Sequence, residues 1–332
     1  MIFGVTCGCL NHARFLNKQR IVIKFYSKNA TYNVLFFGSE GIALSSLKRV
    51  NDLRLVSKFT FHVLALKTEG LKTVPWPLQQ LRHGEYDIGL IVAFGHLIKD
   101  DVLNKFPLGI LNIHPSLLPR WRGAAPIIHT LLHGDHVTGV TLMKIKPNIF
   151  DVGEIISQKE VPVPNDIKLP ELTEQLSEIG SEMLVDCLRN LSESLARAIP
   201  QSEVGVTYAN KISKAISEVR WSEMTAIQVF NLYRAIYGIY PLSTTFRDKK
   251  IKLFDAFLEK ECTVEHRNIP VGTLEYCDKT NSIKVLCKDR RYVHFKSLRI
   301  VGKREIKAID FHNGYIQNVP TENRICIVGS TA

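Results

Sequence analysis

The sequence predicts an α/β fold: a Rossmann-like, doubly wound, mostly parallel sheet followed by a small OB-like β-barrel domain. Three observations carry this reading. Short apolar runs alternate with helical patterns as far as about residue 189, and one run, residues 87–94, is continuously apolar, as in a sheet covered on both faces. Beyond residue 207 the pattern becomes short alternating strands separated by turn residues. The 332-residue length suits two such units at roughly 100–200 residues each.

In chain order, residues 34–37 read as a buried strand and Gly38-Ser39-Glu40-Gly41 as a tight turn into a helix carrying Ile42, Leu44 and Leu47. The turn lacks the spacing of a dinucleotide fingerprint and is read as a plain strand-to-helix connection. A strand over 53–56, a helix over 61–69 and a short strand near 73–74 follow. After the apolar strand comes a helix over 98–104 and a strand over 109–114. Residues 123–132 are helical, 139–146 and 154–163 are strands, and 169–188 form a long amphipathic helix. The polar stretch 190–207 reads as a linker. Past it lie a helix over 224–236 and strands over 244–246, 251–257, 272–276, 283–287 and 292–295. Asp278-Lys279-Thr280-Asn281 and Lys288-Asp289-Arg290 are hairpin turns.

The resulting division is a leader over 1–31, a first domain over 32–189, a linker over 190–207, a second domain over 208–320 and a tail over 321–332. The leader is basic, and residues 1–39 contain five Lys/Arg and no acid. With no apolar signal core, it reads as a mitochondrial transit peptide rather than a secretory signal, the alternative being a disordered amino-terminal tail. The net charge of +11 is uneven. Residues 40–207 hold 17 basic against 19 acidic side chains, whereas 208–332 hold 21 against 13. A basic appendage beside a near-neutral domain suits a large polyanion held outside the reaction site, and equally an ordinary solvated surface. The seven cysteines show neither a paired nor a zinc-type spacing, so a reducing compartment and no metal are expected. No apolar run reaches membrane-spanning length, so no membrane association is expected, and the chain is read as a monomer.

The chemistry concentrates at Leu111-Asn112-Ile113-His114-Pro115. Residues i and i+2 of a strand face the same way, so Asn112 and His114 share a face where a proline stops the strand. Ligands of doubly wound sheets bind outside the carboxyl ends of the strands. Asp151, in Phe150-Asp151-Val152-Gly153-Glu154, is the candidate third member. Singly, each has a structural reading: a satisfied histidine, a turn asparagine, a turn aspartate. Together they suit acyl-type transfer through a tetrahedral intermediate. Asn112 would donate to the developing oxyanion, and His114 with Asp151 would relay the proton.

At these residues the chain resembles the folate-dependent formyltransferases. The resemblance rests on Asn-x-His followed by Ser116-Leu117-Leu118-Pro119, then Asp-x-Gly downstream. Pro119-Arg120-Trp121-Arg122-Gly123-Ala124-Ala125-Pro126 is similar to members acting on methionyl-tRNA. Val34–Gly38, Val92-Ala93-Phe94-Gly95, Thr207-Tyr208-Ala209-Asn210-Lys211-Ile212, Gly302-Lys303-Arg304 and Asp310-Phe311-His312-Asn313-Gly314-Tyr315 match further family segments. The resemblance implies 10-formyltetrahydrofolate as donor and methionyl-tRNA as acceptor. It makes Asn112, His114 and Asp151 the catalytic trio, and Ser116, Leu117, Leu118, Pro119, Phe94 and Gly95 the folate contacts. Arg120, Arg122, Lys211 and Arg304 become candidates for tRNA, held in part by the OB-like domain. Two features depart from the pattern. Ser57-Lys58-Phe59-Thr60 is short where relatives often carry a basic loop, and Glu154 replaces the usual second aspartate. The alternatives are a small-molecule formyltransferase, on an amino sugar or purine precursor, and a non-catalytic RNA- or folate-binding relative.

Overall fold

The computed structural model describes residues 22–24, 32–38, 43, 46, 59–64, 78, 81–259 and 269–327. The first sheet contains β1 (Val22–Lys24), β2 (Tyr32–Gly38), β3 (Phe59–Leu64), β4 (Ile88–Val92), β5 (Ile110–His114), β6 (Val137–Lys144) and β7 (Glu154–Pro162). Their order is β1-β3-β2-β4-β5-β6-β7. β3, β2, β4 and β5 run parallel, while β6 and β7 continue the sheet antiparallel and β1 pairs antiparallel with β3. The parallel part is thus four strands wide.

Both faces are covered, which is why the strands carry little polarity. Along β2, Val34 and Phe36 pack into one core with Leu90, Leu111, Ile113, Val140 and Leu142. Leu35 and Phe37 pack into the other with Ile91, Phe94, Phe106 and Ile110. The first core is closed by α3 (Leu169–Arg189), whose Leu172, Leu176, Leu184 and Leu188 recur at helical spacing. Glu171 accepts from the Lys168 N–H at 2.7 Å and closes the helix start. Two shorter helices, α1 (Asp100–Leu103) and α2 (Pro126–His133), follow β4 and β5.

The expected helix over 61–69 is corrected: Phe59–Leu64 is a strand. Its aromatic and β-branched residues suit a strand, and pairing on both edges decides the matter. Phe59 and Thr60, expected in a loop, open that strand, while Ser57 and Lys58 lie outside the described residues. So do the turn at 39–41, Ile42, Leu44 and Leu47, the strand over 53–56, the strand near 73–74 and most of the leader. Val22–Lys24, within the stretch read as leader, is paired to β3. The stretch read as linker holds α4 (Leu191–Ala196), and Ile199 then pairs antiparallel with Ile155.

The second domain opens with α5 (Ala226–Ala235), started by a Thr225/Gln228 capping box. Its strands are β8 (Leu242–Phe246), β9 (Lys249–Phe257), β10 (Leu274–Cys277), β11 (Ser282–Leu286), β12 (Tyr292–Ile300), β13 (Ile306–Lys307) and β14 (Cys326–Ile327), with α6 (Ala308–Phe311) between the last two. The antiparallel order is β10-β11-β12-β9-β8-β14, with β13 added to β12. A bridge between Thr273 and Ile325 joins the two ends, so the sheet closes on itself as the OB-like reading required. At this seam Leu274 N–H donates to Arg324 O and Cys326 N–H to Gly272 O, both at 2.8 Å. Gly272 has φ +86°, and a Cβ there would stand 2.6 Å from the Cys326 carbonyl oxygen.

The seam makes a prediction. Gly272→Ala should destabilise the barrel by about 1–3 kcal/mol through left-handed strain and backbone crowding. Hydrogen exchange should then speed up first at residues 272–277 and 324–327. Unchanged protection there would show that the strands at the seam do not depend on that close approach.

Candidate active site

Strand parity places the first two side chains as expected. Asn112 and His114 project from the carboxyl end of β5 on the face shared with Ile110. Beside them opens a cleft of about 490 Å³, a size within the range of small-molecule sites. Its walls are mostly apolar, with Ile91, Phe94, Ile98, Met143 and Ile145 among them, and Asn112, His114 and Asp151 are among its polar groups, with His96, Lys146 and Ser177. Phe94 and Gly95 line this cleft. Ser116, Leu117, Leu118 and Pro119 stand outside its lining. Ser116 is fully buried and its hydroxyl donates to Arg120 O at 2.6 Å. Leu118 N–H donates to Thr141 Oγ1, and its carbonyl accepts from Gln158 Nε2. That segment braces β5 against β6 and β7 from behind the site.

Asp151 joins the pair from the connection between β6 and β7. Its Oδ1 lies 3.5 Å from His114 Nδ1 and 3.5 Å from Asn112 Nδ2. Its Oδ2 accepts from the Gly123 N–H at 2.8 Å, which leaves Oδ1 facing the cleft. The Asp151 backbone sits at φ +55°, a region that non-glycine residues enter only when their surroundings impose it.

The imposing group is Gln201, which no sequence signal marks. Its amide nitrogen donates to Asp151 O at 3.0 Å and to Gly153 O at 2.9 Å. Its Oε1 accepts from Arg122 Nε at 3.1 Å and Nη2 at 2.8 Å. One carboxamide therefore ties the Asp151 turn to the loop that follows β5. That loop is also paired with the chain entering the second domain. Arg122 N–H donates to Thr207 O, Ala209 N–H to Arg122 O and Ala125 N–H to Ala209 O. Gly123, at φ +125°, passes so close that a Cβ would meet the Ala209 carbonyl oxygen at 2.7 Å.

His114 Nε2 lies 2.8 Å from the Trp121 carbonyl oxygen. A carbonyl only accepts, so Nε2 carries a hydrogen and donates to it. In the neutral ring the lone pair is then on Nδ1, the atom facing Asp151 and the cleft. Trp121 holds this carbonyl in place with φ +63°. It is fixed by its N–H on Thr207 Oγ1 at 2.9 Å and its indole N–H on Asp135 Oδ2 at 2.8 Å.

Of the expected tRNA cations, Arg122 lies inside the fold, whereas the Arg120 side chain is 41 % exposed beside Trp121 and Asp135. Arg120 lies over the Trp121 ring, 4.3 Å from its centroid, and forks onto Asp135 at 2.6 and 2.9 Å. The Asp135 hydrogen bonds hold its proton affinity above the ordinary range. Arg122 is 5 % exposed and serves Gln201. The sequence shows the neighbours of both arginines but not Asp135 or Gln201, which reach them through the fold. Lys211 and Arg304 are exposed on the second domain.

Comparison with known proteins follows from this geometry. Residues 68–188 match the family model of formyl transferase, and 211–316 match the formyl transferase C-terminal domain. The chain is 38 % identical to "Methionyl-tRNA formyltransferase, mitochondrial" of Rattus norvegicus, covering 93 % of this chain and 85 % of that one. It is 40 % identical to the protein of that name from Homo sapiens, over 86 % and 78 %. Among solved structures, a sugar 3N-formyl transferase determined with dTdp and 5-N-Formyl-THF aligns with a TM-score of 0.60 at 18 % identity, over 84 % of this chain and 100 % of that one.

Gln201 supplies the prediction. Gln201→Ala and Gln201→Glu both remove the donors to Asp151 O and Gly153 O, and the second keeps a partner for Arg122. Both should lower kcat by about 10–100-fold, because misplacing a reacting group by about 1 Å costs that much. If steady-state kinetics put both variants within about twofold of wild type, the bracket does not position Asp151.

Proposed function

The chain belongs to the methionyl-tRNA formyltransferase family, and on that premise we propose that Asn112, His114 and Asp151 carry the transfer of a formyl group from 10-formyltetrahydrofolate to the α-amino group of methionyl-tRNA. The single supporting observation is the convergence of the three side chains, at 3.5 Å separations, on the mouth of one apolar cleft. The cleft fits the donor: its volume is right for a folate head group, and Phe94 and Gly95 bound it where β4 ends.

The chemistry asks for three things. The acceptor nitrogen must lose a proton, the carbonyl oxygen must be stabilised as it gains charge, and the departing nitrogen must be protonated. The bond formed joins the α-amino nitrogen to the formyl carbon, and the bond broken joins that carbon to the folate nitrogen. Asn112 Nδ2 offers a neutral donor for the oxygen. His114 presents Nδ1 toward the site, since Nε2–H is engaged with Trp121. Asp151 Oδ1 stands 3.5 Å from each and orients the ring as His114 takes the proton. The proton lost by one nitrogen returns to the other through this pair, so none is consumed. No covalent enzyme intermediate is required.

The acceptor is too large for the cleft, and the second domain gives it a surface. That domain carries the positive excess, with Lys211 and Arg304 exposed on it. We assign the donor loop at Phe94 and Gly95 to folate and the exposed barrel cations to the tRNA backbone. The protein acts as a monomer in the mitochondrial matrix, delivered there by the part of the leader that precedes β1. Among the described residues no helix is long and apolar enough to cross a membrane.

The experiment is formylation of charged methionyl-tRNA with formylfolate, with uncharged tRNA as control. Asn112→Ala should lower kcat by about 10²–10³-fold and His114→Ala by about 10²–10⁴-fold. A double variant with wild-type turnover would remove the assigned site. Affinity for tRNA should fall steeply with salt, as expected when phosphates release counterions to basic side chains. A flat response would deny the barrel its part in holding the acceptor.

A further inference from the structure

One end of the barrel gathers three side chains that formyl transfer does not use. Glu259 follows β9, Cys277 closes β10 and His294 lies on β12. A carboxylate oxygen, the thiol sulfur and an imidazole nitrogen from these residues all lie within 4.8 Å of one another. Glu259 Oε2 is 3.8 Å from His294 Nε2. Bonds of about 2.0–2.3 Å in a tetrahedral zinc site put ligand atoms roughly 3.3–3.8 Å apart, so side-chain rotation alone could bring the set together.

The histidine is built as a ligand would be. His294 is 1 % exposed, and its Nδ1 lies 2.9 Å from Ser282 Oγ. When Nδ1–H donates to that hydroxyl, the ring is oriented and the Nε2 lone pair is left on the side of Glu259. The Phe257 ring, centred 5.0 Å away, closes one side. Lys284 is the cation closest in influence, and Glu275 neutralises it at 3.3 Å. Cys277 is half-buried and in no disulfide.

We propose that Glu259, Cys277 and His294 bind a divalent transition-metal ion, best matched by zinc, with a fourth position open to water. The sulfur and imidazole select zinc over magnesium or calcium, which prefer oxygen shells. On binding, the Cys277 thiol releases its proton to solvent. The thiolate and carboxylate then balance the charge of the ion. The ion would clip the end of β9 to the β10–β11 hairpin and β12, so the site is structural and independent of the reading given to the cleft. The three residues are far apart in sequence, so no spacing motif announces them.

The test uses the full-length chain without an affinity tag, titrated with cobalt and then zinc. Wild type should show thiolate-to-cobalt charge transfer and tetrahedral d–d bands that zinc displaces. Because the chain has six other cysteines, the reading is the difference between wild type and Cys277→Ser. Cys277→Ser should lose those bands and one equivalent of tightly held zinc, and Glu259→Gln should weaken binding at least about tenfold. Zinc should raise the melting temperature of wild type by several degrees and leave that of Cys277→Ser unchanged. Formylation by Cys277→Ser without added metal should match wild type, which certifies its fold. Equal zinc content and equal cobalt spectra in wild type and both variants would overturn the proposal, as would wild-type affinity weaker than millimolar.

Discussion

Asp151 enters the site on a backbone that its own chemistry does not favour, and the whole cleft depends on keeping it there. The carboxylate must turn one oxygen to His114 and Asn112 while the other is held by the Gly123 N–H. A turn of this kind would relax unless its carbonyls were engaged, and Gln201 engages two of them. Gln201 in turn is held by a guanidinium 5 % exposed, so neither partner can leave without stranding the other. The placement of Asp151 on its loop thus comes from a buried polar network outside the cleft.

Much of this was legible in the sequence wherever local periodicity governs. The parity of β5 put Asn112 and His114 on one face, and the strand's carboxyl end located the cleft. The leucine spacing of α3 gave its extent to within a residue. The alternating pattern after residue 207 pointed to a closed antiparallel sheet. What stayed hidden depends on long-range partners. Nothing adjacent to Arg122 reveals Gln201, and nothing adjacent to Arg120 reveals Asp135, so the sequence offered both arginines to tRNA without their partners in the fold. Phe59–Leu64 has a composition compatible with either a strand or a buried helix, and only pairing with β2 and β1 decides it. The Glu259, Cys277 and His294 grouping exists only because the pairings from β9 through β12 and β11 to β10 set residues far apart in sequence side by side.

The two domains are not simply beads on a tether. α2 and α5 meet between them. Leu132, which ends α2's apolar side, packs against the barrel core, and Ala235 of α5 belongs to the core of the first sheet. Arg234 reaches back to the Pro164 carbonyl at 3.3 Å. The basic barrel is therefore held at a set distance from the cleft, as an enzyme needs when its acceptor carries the reacting amine at the end of a long polyanion.

The strand-like docking of Thr207 to Ala209 on the loop from Pro119 to Ala125 has a structural consequence. The carbonyl that fixes the His114 tautomer belongs to Trp121, whose own amide is held by Thr207. The first domain therefore does not end, in any functional sense, where α3 ends. A fragment cut at that helix would keep its hydrophobic interior yet lose the clamp on its proton-carrying imidazole. Any force that pulls the barrel outward would be felt, within a few covalent bonds, at the tryptophan carbonyl.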